Sequence, residues 1–248
     1  MEWMEVVFLS PEAVAAEGTM GNKTEFDQYA SNYDDLLRDP MRDRFVQNRE
    51  FYHHRKRSLI QDFFRNHAID TSRMEWLDVG CGKCELLGYG GAHFGKVVGC
   101  DPSREMVRHN GKIEVRLQEE PTALPFPTGS FDFATAVCVY HHVEQADRIL
   151  LTREVHRILR PGGIFCMIEH NPYNPITRLI VGKSPIDVDA HLLSARSARR
   201  YSTAASLQPI ETEYFLYLPE KLYNMSPRFE GLLGKLPFGG QYAMFARK

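Results

Sequence analysis

The segment LDVGCGKCELL at residues 77–87 constrains the fold of this chain more than any other part of the sequence. It joins a strand-like run, MEWLDV, to a helical stretch through Gly80 and Gly82. Glycine lets a backbone turn tightly and approach a ligand without a Cβ in the way. In doubly wound α/β folds, such a turn at the carboxyl end of a strand is where ligands bind. The segment therefore predicts a parallel sheet with a ligand site at that edge.

Strand-like and helical patterns alternate on both sides of this loop. Strands are predicted at 74–79, 96–101, 113–117, 131–140, 164–169, 210–218 and 241–246, and helices at 42–67, 83–93, 103–109, 145–159, 175–182 and 194–206. The run RPGG at 160–163 is expected to end a helix before the fifth strand. Nearly continuous apolar strands are typical of a sheet covered on both faces. The pattern predicts a doubly wound, mostly parallel, seven-stranded Rossmann-like sheet.

Composition narrows the classes of partner and compartment. A chain of 248 residues fits one large domain with a small lid better than two full domains. Its net charge of -2 gives no global electrostatic footprint for nucleic acid. No apolar run has the length of a membrane span, and the acidic start MEWMEVVFLS is unlike a secretory signal. We expect a cytoplasmic monomer or homodimer with reduced cysteines and no membrane or nucleic-acid partner.

Asp101 is the second feature of a ligand site. It follows the second predicted strand, about 20 residues beyond the glycine loop, where an acid can accept hydrogen bonds from ribose hydroxyls. A dinucleotide fingerprint would place a third glycine where Glu85 stands. The alternative for Asp101 is a cap on the helix that follows Pro102.

Five segments between residues 74 and 170 carry a family resemblance: LDVGCG, GCDPSREMV, LPFPTGSFD, VYHHV and EVHRILRPGGIF. Together they resemble the class I S-adenosylmethionine (SAM)-dependent methyltransferases, especially the ubiquinone/menaquinone-biosynthesis kind (methyltransferase type 11). FDQYASNYD, at residues 26–34, resembles the helix that closes over SAM in that subgroup. The resemblance implies SAM as cofactor, S-adenosylhomocysteine as product and no metal.

The resemblance also assigns cofactor contacts to individual residues. It implies that SAM is bound by Tyr33, Asp78, Gly80, Cys81, Gly82, Asp101, Pro102, Met106, Glu120 and Cys138. Glu120 marks a departure from the family pattern, in which an acid and the next backbone N–H recognise adenine. Here Pro121 follows it, and proline has no N–H to donate.

Other polar residues are candidates for the reaction itself. His141 or His142, after the fourth strand, could take a proton from the acceptor, with His141 as the nearest candidate, or be structural. Tyr29, His170 and Asn171 are predicted to contact the methyl acceptor, with loop capping as the alternative for Asn171. Glu169, His170 and Asn171 together form a polar trio at the end of the fifth strand that could orient the acceptor.

These observations predict an organisation and a function. Residues 1–67 form a tail and helical lid, and residues 68–248 form the SAM-binding core with an acceptor-binding insertion at about 170–206. The predicted activity is O- or C-methylation of a small-molecule acceptor. The alternatives are an NAD(P)-dependent oxidoreductase, an RNA or protein methyltransferase, and a degenerate methyltransferase that only binds a partner.

Overall fold

The computed structural model describes residues 36, 45, 46, 48, 50–108 and 113–248, apart from the side chain of residue 228. Seven strands form one sheet: β1 (Glu75–Val79), β2 (Lys96–Asp101), β3 (Glu114–Leu117), β4 (Phe131–Val137), β5 (Leu159–His170), β6 (Gln208–Phe215) and β7 (Gln241–Arg247). The described helices are α1 (Glu50–Asn66), α2 (Glu85–Gly90), α3 (Arg104–Arg108), α4 (Arg148–Ile158), α5 (Pro175–Val181), α6 (Ala195–Ala204), α7 (Glu220–Met225) and α8 (Pro227–Leu233). Short 3₁₀ turns lie at Gly91–His93 and Pro185–Asp187.

The strand order is β3-β2-β1-β4-β5-β7-β6. Strands β1 to β5 pair in parallel, whereas β7 runs antiparallel to both β5 and β6. The order changes direction between β1 and β4, and this switch point opens a crevice at the carboxyl ends of those strands. The predicted fold class is confirmed.

Apolar side chains cover both faces of the sheet, as the continuous apolar strands predict. On one face, Leu151, Val155 and Ile158 of α4 join the buried core. On the other face, the ring of Phe63 in α1 stacks on that of Phe245 in β7, with their centroids 3.9 Å apart. Packing on both faces holds the sheet rigid, and with it the crevice at the carboxyl ends of its strands.

Two predicted boundaries are wrong. The helix expected at 42–67 is not continuous: residue 45 is helical, residues 46 and 48 are not, and α1 begins at Glu50. The chain bends at Asn48, whose side-chain oxygen accepts the backbone N–H of Glu50 at 3.0 Å. The run at 160–163 lies inside β5: Phe131 pairs with Leu159 and Phe133 with Ile164, so the extra residues form a bulge. Helices α7 and α8, between β6 and β7, have no counterpart in the sequence prediction.

The segment after β5 divides into two parts. Helix α6 packs against β6, β7 and α4 and so belongs to the core. Helix α5 and the turn Pro185–Asp187 instead contribute to the wall of the crevice. The domain boundaries, including the lid and the acceptor-binding insertion, stay predictions. No helix in the described ranges is both long and apolar enough to cross a bilayer.

Candidate active site

A cavity of about 270 Å³ lies at the carboxyl ends of β1 and β4. Its walls come from the glycine loop, helix α1, the residues after β4 and β5, and helix α5 with its following turn. The predicted site residues that line it are Asp78, Gly80, Cys81, Gly82, Cys138, His141, His142 and His170. The structure therefore brings five of the ten predicted cofactor residues and all three predicted histidines to one cavity.

The glycine loop turns sharply because its two glycines adopt positive φ angles, +68° at Gly80 and +51° at Gly82. A Cβ at Gly80 would lie 2.5 Å from a methyl group of Val139, so no larger residue fits there without movement. A Cβ at Gly82 would meet no atom within 4 Å. Gly80 is thus needed for packing, while Gly82 leaves open space beside the cavity.

Asp101 holds the glycine loop from the neighbouring strand. One carboxylate oxygen accepts the backbone N–H of Gly82 at 2.8 Å, and the other accepts that of Ser103 at 2.9 Å. The cavity lining does not include Asp101 itself. A carboxylate has further lone pairs, so these bonds leave acceptor capacity for a ribose hydroxyl. The ribose contact of Asp101 stays a prediction.

Asp78 is a buried carboxyl at the end of β1. The hydroxyl of Thr135 donates to it at 2.5 Å, and Trp76 Nε1 donates to that hydroxyl at 2.8 Å. Burial raises the pKa of Asp78 to about 7, against the lowering effects of the Thr135 hydrogen bond and the charge of Lys56. The carboxyl at the mouth of the glycine loop is thus poised between its neutral and charged forms near neutral pH.

His141 lies between two carboxylates. Its Nδ1 is 2.6 Å from Oε2 of Glu169, and its Nε2 is 3.4 Å from Oδ1 of Asp187. The other oxygen of Glu169 accepts the backbone N–H of Tyr140 at 2.7 Å. The side chains of His141 and Glu169 are only 1% and 0% exposed. The imidazole is therefore fixed in orientation by the end of β5.

The two adjacent imidazoles differ in their proton affinity. Burial alone would lower the pKa of His141, but Glu169 and Asp187 outweigh it and raise that pKa to about 9. Burial, together with the charge of His141, lowers the pKa of His142 to about 4. The side chain of His142 is 22% exposed, and its Nε2 lies 3.4 Å from Oδ1 of Asp187. Despite its burial, Asp187 has a pKa lowered to about 2, chiefly by His141.

Sequence analysis did not single out two polar residues that line the cavity near the histidines, Asp187 and Gln241. Asp187 comes from a 3₁₀ turn in a segment without clear periodicity. Glu169 is the member of the predicted trio Glu169, His170 and Asn171 that contacts His141. Gln241, at the start of β7, also lines the cavity, and its Nε2 lies 3.4 Å from Nδ1 of His170 and from Sγ of Cys138.

The remaining predicted residues are placed elsewhere. Asn171 is fully buried, and its amide nitrogen donates to the carbonyls of Pro237 and Gly239 at 3.0 and 2.8 Å. Both of its N–H groups are thus used within the protein, as loop capping requires. Asn171 and three others are not among the residues that line the cavity: Pro102, Met106 and the exposed Glu120. Tyr29 and Tyr33 fall outside the residues that the structure describes.

Comparison with known proteins adds the family. Residues 77–167, from the glycine loop through β5, match Methyltransf_11, a methyltransferase domain. This part of the chain is a class I, SAM-dependent methyltransferase domain. The match contains the glycine loop, Asp101 and the histidine pair, so the predicted recognition is confirmed.

Known methyltransferases resemble part of this chain in sequence. The Bacillus subtilis protein YcgJ, an uncharacterized methyltransferase, is 30% identical over 40% of this chain and 42% of its own length. The ubiquinone/menaquinone biosynthesis C-methyltransferase UbiE of Hahella chejuensis is 33% identical over 50% of this chain and 44% of its own. The chain thus spans less than half the length of either relative.

A solved structure shares the fold over most of the chain. A SAM-dependent methyltransferase from Thermotoga maritima superposes with a TM-score of 0.63 and 16% identity, covering 90% of this chain and 98% of its own. At that identity the likeness concerns the fold alone. It extends to the strands and helices beyond residue 167, where the match to the family model ends.

Proposed function

We propose that this protein transfers the methyl group of SAM to oxygen or carbon of a small-molecule acceptor. The observation that carries the proposal is that the glycine loop and three histidines line one cavity. Asp78, Gly80 and Gly82 on one side and His141, His142 and His170 on the other share it. Cofactor and acceptor can therefore meet at the end of β4.

Methyl transfer from SAM mainly requires that the methyl group and the acceptor atom be aligned. When bound, SAM supplies an electrophilic methyl group with a good leaving group, so the protein needs only to orient the acceptor and exclude water. The acceptor oxygen or carbon gains the methyl group and loses a proton, and S-adenosylhomocysteine leaves. Apolar walls with a few convergent polar groups suit a small organic molecule, and Ile176, Ile180, Val181 and Ile186 supply such walls.

Of the two predicted base candidates, His142 has the better access. Both ring nitrogens of His141 face buried carboxylates, and its side chain is only 1% exposed. His142 lines the same cavity and is 22% exposed. We propose that His142 receives the acceptor proton and that His141 positions the loop that carries it.

A screen of candidate acceptors with radiolabelled SAM tests the function. Phenols, quinols, carboxylic acids and amines should be compared with bulk RNA and a protein mixture. We expect label in a small-molecule fraction, with S-adenosylhomocysteine as product. Binding of NADH but not SAM in calorimetry would instead favour the oxidoreductase, and label in RNA or protein would replace the small-molecule acceptor.

Replacement of the histidines tests their roles once an acceptor is known. His142→Asn should lower kcat by about 10²-fold if proton removal accompanies methyl transfer. Its SAM affinity should stay within a few-fold of the parent value. His141→Asn should lower both kcat and thermal stability, because it leaves Glu169 buried without its partner. Unchanged turnover in both variants would show that the enzyme works by positioning alone.

A further inference from the structure

Two histidines and an aspartate converge on the acceptor side of the cavity. His141, His142 and Asp187 each offer one ligand atom, and these atoms all lie within 4.8 Å of one another. Among the described residues, no other group of three or more His, Cys, Asp or Glu side chains converges in this way. Two imidazoles and one carboxylate are a ligand set that divalent transition metals take, with positions left for water or substrate.

The distances between these atoms suit an ion better than direct hydrogen bonds. Oδ1 of Asp187 is 3.4 Å from Nε2 of His141 and 3.4 Å from Nε2 of His142. Good N–H···O bonds are shorter, at about 2.7–3.2 Å. Two ligands held tetrahedrally by zinc, with bonds of about 2.0–2.2 Å, are roughly 3.3–3.5 Å apart.

Glu169 provides the support that metal-binding histidines have. It lies 2.6 Å from Nδ1 of His141 and is anchored in turn by the backbone N–H of Tyr140. A carboxylate on one ring nitrogen fixes the tautomer in which the other nitrogen presents a lone pair. In His141 that other nitrogen is the one that faces Asp187.

The buried charges beside the cavity also favour a bound cation. Glu169 and Asp187 are buried carboxylates, and buried charges need a partner of opposite sign. In the described part of the chain, each ion pair that these two carboxylates make is with a histidine and none with Lys or Arg. A divalent ion between neutral imidazoles would balance both carboxylates.

We propose that His141, His142 and Asp187 bind one divalent transition-metal ion at the acceptor wall of the cavity. Nε2 of each imidazole and Oδ1 of Asp187 are the protein ligands, and the remaining positions face the cavity. The inference goes beyond methyl transfer and stands without it. In the metal-bound state Nε2 of His142 is a ligand, so that state excludes its use as a proton acceptor.

Titration of the full-length, metal-stripped protein with Co²⁺ and Zn²⁺ tests the site. We expect one Co²⁺ per chain, with the intense visible absorption of a four- or five-coordinate ion, and displacement by Zn²⁺. His142→Gln and Asp187→Asn should each weaken binding by about 10-fold or more. Neither change touches the buried Glu169, and circular dichroism of both variants checks that they fold.

His93→Asn is the matched control, since His93 is exposed in the short turn after α2. This variant should bind Co²⁺ with the affinity of the parent protein, because His93 is not one of the proposed ligands. Absence of saturable binding in the parent overturns the proposal, and this outcome needs no variant. Equal affinities of the parent, His142→Gln and Asp187→Asn proteins would likewise overturn it. Neither result bears on SAM binding, which is measured separately.

Discussion

Two buried acids beside the glycine loop are held by different kinds of hydrogen bond. Asp78 ends β1 as a buried carboxyl hydrogen-bonded to Thr135, and Asp101 ends β2 as a buried carboxylate bonded to the backbone of Gly82. The two acids differ in that Asp78 receives a side-chain hydroxyl, while Asp101 receives two backbone N–H groups. Their replacement should therefore have different consequences.

Asp78 should make the ligand-free protein less stable as pH rises. Its folded-state pKa of about 7 lies above the unfolded value of about 3.9. Between these values the folded state binds a proton that the unfolded state has lost. The stabilisation is thus full below about pH 4 and is lost as pH rises through 7, by up to about 4 kcal/mol. Urea unfolding across this range measures it.

Asp78→Asn should remove that part of the pH dependence, so its stability relative to the parent should rise between about pH 4 and pH 7. Asp189→Asn, at an exposed aspartate, is the control and should follow the parent curve. Parallel curves for Asp78→Asn and the parent would contradict the raised pKa.

Asp101→Ala should weaken both SAM and S-adenosylhomocysteine. Losing hydrogen bonds to ribose and to the Gly82 N–H should cost roughly 1–3 kcal/mol of binding free energy, or about 5- to 150-fold in Kd. Calorimetry measures both affinities. Asp132→Ala is a matched control at the opposite edge of the sheet, where that carboxylate binds the backbone N–H of Glu75 at 2.9 Å. If Asp101→Ala binds as tightly as Asp132→Ala, Asp101 is not in the site.

At the scale of elements, α1 and α8 are joined beside the cavity. Arg55 of α1 pairs with Glu230 of α8 at 2.5 Å, and its guanidinium lies 3.9 Å from the ring centre of Tyr223. Glu230 also accepts the backbone N–H groups of Leu216 and Leu218 at 3.1 and 3.3 Å. One buried carboxylate thus fixes the loop after β6 that contributes to the cavity wall.

Glu230→Gln should destabilise the fold by about 2–4 kcal/mol, because it leaves the largely buried Arg55 without its charge partner. Lys235→Ala breaks the ion pair with Glu211, in which the lysine is 72% exposed, and should cost less than about 1 kcal/mol. Urea unfolding of both variants measures the difference. Equal losses of unfolding free energy would show that the buried ion pair of Glu230 contributes no more to stability than the exposed pair of Lys235.

At the scale of the whole molecule, ligand binding and folding are linked. A ligand that binds only the folded state adds about 2.7 kcal/mol at 100 times its Kd. For a chain of this size, that should raise Tm by about 5–10 °C. We therefore expect S-adenosylhomocysteine to raise Tm in a thermal scan and NADH to leave it unchanged. The reverse order would favour the nicotinamide alternative.

Removal of residues 1–37 tests the predicted lid, which lies mostly outside the described residues. The truncated protein should lose turnover and bind SAM more weakly, while its circular dichroism stays that of the folded sheet. If it remains fully active, the acceptor is bound without the predicted N-terminal lid.

The sequence by itself determined the strands and the place of the glycine loop. Periodicity and glycine placement are local properties, so the seven strands and the Gly80–Gly82 turn could be predicted from adjacent residues. Local pattern failed where the backbone is irregular, as at the bulge within β5 and at helices α7 and α8. The resemblance also supplied residues, such as Cys138, that local pattern alone does not single out.

Only the tertiary structure decided which residues surround His141 and His142 in the cavity. Asp187 and Gln241 are far from His141 in sequence and reach the same cavity through the turn after α5 and the start of β7. The environment of an imidazole depends on which carboxylates face it, and these come from separate elements. That is why the sequence could favour His141 as the base, while packing raises the pKa of His141 and lowers that of the more accessible His142.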